Sequence, residues 1–237
     1  MPTLIFDIET VGEDFDKLDE TSQEVLTRWI KRDTGSGEDY TAALADLKNG
    51  MGFSPLTGEI ITIGIYDAER EKGAVYFQSS PGKQDQNFEE NEYKFEVMTE
   101  KEMLVKFWEV VEKYDTFVTF NGRSFDVPFL MVRSAIHGIR PSKNLLANRY
   151  LNYQPGHARH VDLFDQLTFY GAVRRKGGLH LWCRAFGIES PKGQGIDGDD
   201  VKAFFDSGRS VDIARYNSWD LKATCELYRK YLEYLQF

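Results

Sequence analysis

The chain has 237 residues, 41% of them hydrophobic and 14% aromatic, with two cysteines and a formal net charge of −9. This composition allows one large domain with a true core, and it excludes a disulfide framework or a thiolate zinc site, because Cys183 and Cys225 stand without a spaced Cys/His set. The acidic balance on its own argues against nucleic acid as a partner.

The opening stretch, MPTLIFDIET, has no basic n-region and no long apolar run, so no secretory signal is expected. No later stretch approaches membrane-spanning length. The expectation is a soluble, cytoplasmic protein with no membrane partner. Residues 3–9 read as a short buried strand. Residues 13–50 are polar and acidic, with SQEVLTRWIKR and YTAALADLK as helical pieces around the Gly-rich turn TGSGED. They carry too few apolar residues for a core of their own and read as a helical insertion. GEIITIGIYD (58–67) and GAVYFQS (73–79) predict two strands joined by a charged turn, and 80–95 predicts a loop. Residues 99–114 predict a helix, opened by the capping-box pair Thr99 and Glu102 and striped by Leu104, Phe107, Trp108 and Val111. TFVTF (116–120) predicts a strand, and 125–138 a helix ending near Gly138. Beyond it, 161–171, 178–187 and 199–208 predict short helices and 211–235 a long one. The order predicts an α/β protein: a mixed sheet built early in the chain, flanked by helices, in a single domain over 1–237 with its insertion at 13–50.

Charge is unevenly distributed. Residues 1–100 hold nine basic and 22 acidic side chains, a net of −13, whereas 123–192 hold 11 basic and four acidic, a net of +7. The second segment is locally suited to phosphates within an acidic chain, although ordinary surface scatter gives the same count.

Three segments carry candidate chemistry. Strand periodicity places Asp7 and Glu9 on one face. Like charges that close raise each other's pKa unless something positive lies between them, so either the strand ends at the surface or it faces a metal. Asp126 falls in the first turn of a helix, where the helix dipole alone would favour an acid. Tyr216 and Asp220 lie four apart on one helical face, a spacing that also fits a surface acid beside a half-buried tyrosine.

Taken together, FDIET, NGRSFDVPFL and YNSWD resemble, in order and composition, the three motifs of the DEDD 3′–5′ exonucleases. The resemblance is to the proofreading domain of B-family DNA polymerases, and in particular to stand-alone exonucleases related to it. The family pattern is Asp-x-Glu, then Asn-x-x-x-Phe-Asp, then Tyr-x-x-x-Asp, met here by Asp7 and Glu9, by Asn121, Phe125 and Asp126, and by Tyr216 and Asp220. Tyr216 stands four before Asp220 and Arg215 five before it, which matches the tyrosine branch and not the histidine branch.

This resemblance implies a ribonuclease-H-like fold and phosphodiester hydrolysis at 3′ ends of single-stranded nucleic acid, DNA more than RNA. It implies two divalent cations, Mg²⁺ or Mn²⁺, held by Asp7, Glu9, Asp126 and Asp220. Hard cations want oxygen ligands, and two of them together activate a water and stabilise the leaving oxygen. Tyr216, a weak base at neutral pH, is assigned to orienting that water. By analogy Thr10, Asn121 and Phe125 touch the terminal nucleotides, with plain core packing the alternative for Phe125. Lys192 is the candidate phosphate contact, or else a solvated loop lysine; RRK (174–176) lies in the same interval. Asp162 reads as a helix cap or a residue supporting the ligands. His137, His157, His160 and His180 lack ligand spacing and read as structural or surface residues. The alternatives for the whole are a binding module that grips a 3′ end or a protein partner, with 13–50 as lid or docking segment, and an exoribonuclease of the same fold.

Overall fold

The computed structural model describes residues 2–34, 37–174, 177–190 and 200–236. Among them the strands form one mixed seven-stranded sheet in the order β4-β5-β3-β2-β1-β6-β7. The strands are β1 (Thr3–Gly12), β2 (Gly58–Asp67), β3 (Lys72–Phe77), β4 (Phe88–Glu90), β5 (Tyr93–Val97), β6 (Thr116–Thr119) and β7 (Arg159–Asp162). β1 and β2, and β2 and β3, run antiparallel, while β1, β6 and β7 run parallel. The helices are α1 (Glu20–Thr34), α2 (Glu38–Gly50), α3 (Glu100–Val111), α4 (Asp126–Ile136), α5 (Leu163–Leu167), α6 (Leu179–Phe186), α7 (Val201–Asp206) and α8 (Ser210–Tyr234).

β1 divides the core. Leu4, Phe6 and Ile8 face a layer built on α3 and α4, where Leu104, Phe107, Trp108, Phe129 and Leu130 are buried. Ile5 points the other way, into a second layer with Leu163, Leu221 and Leu227. Asp7 and Glu9 share the parity of Ile5, so they face the side on which α8 packs. Thr99 opens α3 with the expected reciprocal capping box to Glu102. A buried ionic knot ties α3 and α4 to β2: the Glu100 carboxylate accepts from the Ile60 N–H at 2.8 Å, from Arg133 at 2.6 Å and 2.8 Å, and pairs with His137 at 2.6 Å.

Two departures from the sequence reading concern strands. The expected loop over 80–95 contains β4 and the start of β5, and β5 pairs parallel to β3. The expected helix over 161–171 begins as the end of β7, then becomes α5 and a 3₁₀ turn, so the second half of the chain is not all helical. Both strands are short, and RHVD, buried on both faces, shows no alternation to read. α1 and α2 form at the expected places within 13–50, and Ile30 of α1 is fully buried. Among the described residues no helix is long and apolar enough to cross a membrane.

Candidate active site

The site forms where the sheet opens. β1 pairs with β6 only from Thr3 to Ile5, and β6 ends at Thr119. Past Ile5 the β1 backbone has lost this neighbour, and the Ile8 N–H donates to Asp126 Oδ1 at 3.1 Å instead. A carboxylate at the first turn of α4 therefore takes the place of a strand partner. The crevice at the carboxyl ends of parallel strands is where α/β sheets commonly place their sites. Here an open pocket of about 220 Å³ is lined by Asp7, Glu9, Phe120, Asn121, Phe125, Asp126, Leu179 and Asp220.

The loop that carries Asn121 to Asp126 is fixed from below. Asp162 caps α5 by accepting from the Phe164 N–H, and the same carboxylate accepts from the N–H groups of Asn121 and Arg123, all at 2.9 Å. The cap reading of Asp162 thus holds, and the same carboxylate also fixes the Asn121 loop. Asn121 sits at φ 65°, a left-handed conformation that asparagine tolerates better than most residues. Beneath it the buried His160 ring donates from Nδ1 to the Leu145 carbonyl, which leaves Nε2 to accept from the Thr119 hydroxyl at 2.8 Å. Burial holds this imidazole neutral, with its pKa pushed down to about 3.

α8 supplies the last group. Tyr216, Asn217 and Asp220 lie at helical spacing on the face turned to β1. Oxygens of Asp7, Glu9 and Asp220 lie within 4.8 Å of one another. Asp126 is not in that trio, being bonded to β1, but its charge is felt by Asp7 and Glu9. Burial raises the pKa of Asp7 and Glu9 well above the carboxylate range, and the neighbouring carboxylates raise it further. Burial also pushes Asp126 up to about 7, against the opposing effect of its backbone hydrogen bonds. Tyr216 is 6% exposed and bonds to Asp220; burial and the three nearby carboxylates push its phenol above its ordinary value, so it stays protonated.

Two residues that the sequence reading missed complete the arrangement. Asn217 is fully buried and donates from Nδ2 to Asp7 Oδ2 at 2.8 Å, while its Oδ1 has no partner among the described residues. Gly64 lies directly across from Asp7 on β2, and a Cβ there would stand 1.8 Å from Asn217 Oδ1. Asn217 stands three before Asp220 in the third motif, so helical spacing could have found it. Gly64 could be found only from the strand pairing. Of the predicted nucleotide contacts, Asn121 and Phe125 line the pocket. Phe125 also packs on Phe129 and meets the exposed ring of Phe53 edge-on at 6.3 Å. The Thr10 hydroxyl is engaged internally, donating to the Gly52 carbonyl at 2.7 Å. Lys192 lies outside the described residues, as do Arg175 and Lys176 of the RRK stretch; Arg174 is exposed.

A crowd of largely buried carboxylates with raised pKa values, with no cationic side chain among the described residues lining the pocket, is suited to divalent cations. The family model for a "Predicted 3'-5' exonuclease related to the exonuclease domain of PolB" matches residues 73–236. The chain belongs to this family. As a PolB-related exonuclease-family protein, it carries Asn121, Phe125, Asp126, Tyr216 and Asp220 inside the matched stretch, while Asp7 and Glu9 precede it. The DNA polymerase of Desulfurococcus sp. (strain Tok) is 28% identical over 150 residues, covering 57% of this chain and 18% of the polymerase. The DNA polymerase of Methanocaldococcus jannaschii is 36% identical over 77 residues, 29% of this chain and 5% of that one. This PolB-related chain thus spans less than a fifth of either relative. The solved structure of the family B DNA polymerase from the archaeon Pyrobaculum calidifontis aligns with a TM-score of 0.59 at 18% identity, covering 98% of this chain and 24% of the polymerase. The sheet and its flanking helices are the ribonuclease-H-like exonuclease fold of B-family polymerases.

Proposed function

We propose that this protein is a 3′–5′ exonuclease that hydrolyses the terminal phosphodiester of single-stranded nucleic acid, DNA in preference to RNA, in one domain over 1–237. The observation that carries the reading is the gathering of Asp7, Glu9 and Asp220 oxygens within 4.8 Å, with Asp126 beside them. Asp7, Glu9 and Asp220 would hold divalent cations directly, with Asp126 as the fourth carboxylate. Mg²⁺ or Mn²⁺ bound there would supply positive charge to the attacking water and to the leaving oxygen. The chain's own contribution is positional. Asn217 fixes the Asp7 carboxylate, Asp162 fixes the Asn121 loop, and the protonated Tyr216 presents a hydroxyl that orients the water and cannot act as its base. Phe53 and Phe125 offer ring faces beside the pocket on which a terminal base stacks without regard to its identity. Preference for DNA is supported by the relatives, which are DNA polymerases. The free, buried cysteines suit a reducing cytoplasm.

The test uses 5′-labelled single-stranded DNA and matched RNA with Mg²⁺, Mn²⁺ or EDTA. The expected result is a metal-dependent ladder shortening from the 3′ end, absent with Asp7→Ala. A well-folded wild type that cuts neither substrate would overturn the reading.

A further inference from the structure

The pocket at the carboxylates is small and open, at about 220 Å³. That is below the usual 300–1,000 Å³ of a site that holds its ligand by enclosure. An enzyme working on polymer ends from such a pocket needs affinity from elsewhere on its surface, and one face of the molecule has the means. Tyr150, Tyr153 and Phe169 are 50%, 75% and 53% exposed. The rings of Tyr150 and Tyr170 lie 4.8 Å apart, and the Arg149 guanidinium stands 5.9 Å from the Tyr170 ring centroid. Arg149 is held in place by Asp165, which it meets at 2.5 Å and 3.0 Å. The exposure of Phe169 is built in. Phe169 and Tyr170 occupy consecutive left-handed conformations, φ 50° and 55°. Bulky side chains rarely adopt that region, and such strain collects at functional surfaces.

One packed contact joins this face to the pocket. Phe120, which lines the pocket, meets Phe164 of α5 edge-on at 5.7 Å, and Asp165, the anchor of Arg149, is the next residue. The face also belongs to the stretch 123–192, whose residues sum to +7 in a chain that is otherwise acidic, with Arg149 itself paired to Asp165. Aromatic faces beside a guanidinium, in a locally positive segment, fit a strand of phosphates with unpaired bases better than they fit a protein partner.

We propose that Arg149, Tyr150, Tyr153 and Phe169 form a binding track for the single strand upstream of its 3′ end. Bases stack on the exposed rings, and the backbone runs past Arg149 toward the carboxylates. The inference rests on the exonuclease reading for its direction, but its test does not require turnover. Fluorescence anisotropy would follow 5′-labelled oligodeoxythymidylates of about 4 and about 20 nucleotides binding in EDTA to wild type and to Tyr150→Ala/Phe169→Ala. The wild type should bind the longer strand at least tenfold more tightly, with a steep salt dependence. The double variant should lose that advantage to within about twofold, while its affinity for the short strand shifts by less than that. If the double variant does not melt cooperatively, Tyr153→Ala replaces it, with an expected loss of about threefold on the long strand only. Equal binding by variant and wild type would overturn the track. So would a wild type that binds no oligonucleotide. A wild type without nuclease activity in Mn²⁺ whose binding still depends on Tyr150 and Phe169 would sink the exonuclease reading and leave the track standing.

Discussion

Tyr216 and Asn217 are neighbours on one helical turn, yet they have separable tasks. The Tyr216 hydroxyl bonds to Asp220 and stays protonated, so Tyr216→Phe removes a positioned donor and leaves every carboxylate in place. We expect kcat to fall by about 10- to 100-fold, below the range for losing a full acid or base. The Mn²⁺ affinity, read by titration calorimetry, should be unchanged; an unaltered kcat would remove Tyr216 from the chemistry. Gly64 is a different matter, because its role is to be small. A methyl group at Gly64 would stand 1.8 Å from Asn217 Oδ1, so Gly64→Ala must push Asn217 off Asp7. Overpacking of this kind costs about 1–3 kcal/mol, and we expect that loss in chemical denaturation together with loss of activity. A methyl at Gly64 would also stand 2.7 Å from Leu221 Cδ1, so in Gly64→Ala/Asn217→Ala only the clash with the amide is gone, and part of the stability lost by the single Gly64 variant should return. Simple additivity of the two changes would show that they do not meet.

Among the elements, β1, α4 and α8 were legible in the sequence because each announces itself locally. The two-residue period of a strand puts Asp7 and Glu9 on one face of β1, the helix dipole favours Asp126 in the first turn of α4, and four-residue spacing aligns Tyr216 with Asp220. What was not legible depends on pairing between distant segments. β7 is four residues without alternation. Gly64 matters only because it faces Asp7 across the β1–β2 ladder. The double duty of Asp162 needs the Asn121 loop laid over α5. Asp126 shows how an element boundary becomes a site. Its carboxylate joins α4 to β1 through the Ile8 N–H, a link that needs an acceptor oxygen and not a charge. Asp126→Asn keeps the oxygen. Losing the favourable helix-dipole interaction costs about 0.3–1 kcal/mol. Removing a buried charge whose pKa stands at about 7 returns more, on the order of 4 kcal/mol at pH 8. The variant should therefore be inactive on nucleic acid and more stable than wild type in EDTA at pH 8. A lower denaturation midpoint would mean that the negative charge itself holds α4 to the sheet.

At the scale of the whole molecule, protons and metal compete for one buried acidic centre, and stability should report the contest. Asp7, Glu9 and Asp126 have folded pKa values above their ordinary range. Between the unfolded carboxylate value near ~4 and the folded value, about 7 for Asp126, the native state therefore binds more protons than the unfolded chain. Stability without metal must fall as pH rises through that window. His160 acts in the opposite sense. Its folded pKa of about 3 lies below the unfolded value near ~6.5, so the unfolded chain binds the extra proton between them and stability rises with pH there. A pH scan in EDTA alone would mix the two. Their difference does not, because a divalent cation offsets the carboxylates and does not touch the imidazole, which is bonded to Thr119 and Leu145. The quantity to measure is the gap in Tm between saturating Mn²⁺ and EDTA. It should be small at pH 5, where protons already neutralise the centre, and should widen steadily to pH 8, where only metal can. In Asp126→Asn the widening should be smaller, since one of the opposing charges is gone. A gap of the same size at every pH would mean that the cation binds elsewhere, and that these carboxylates are not its ligands.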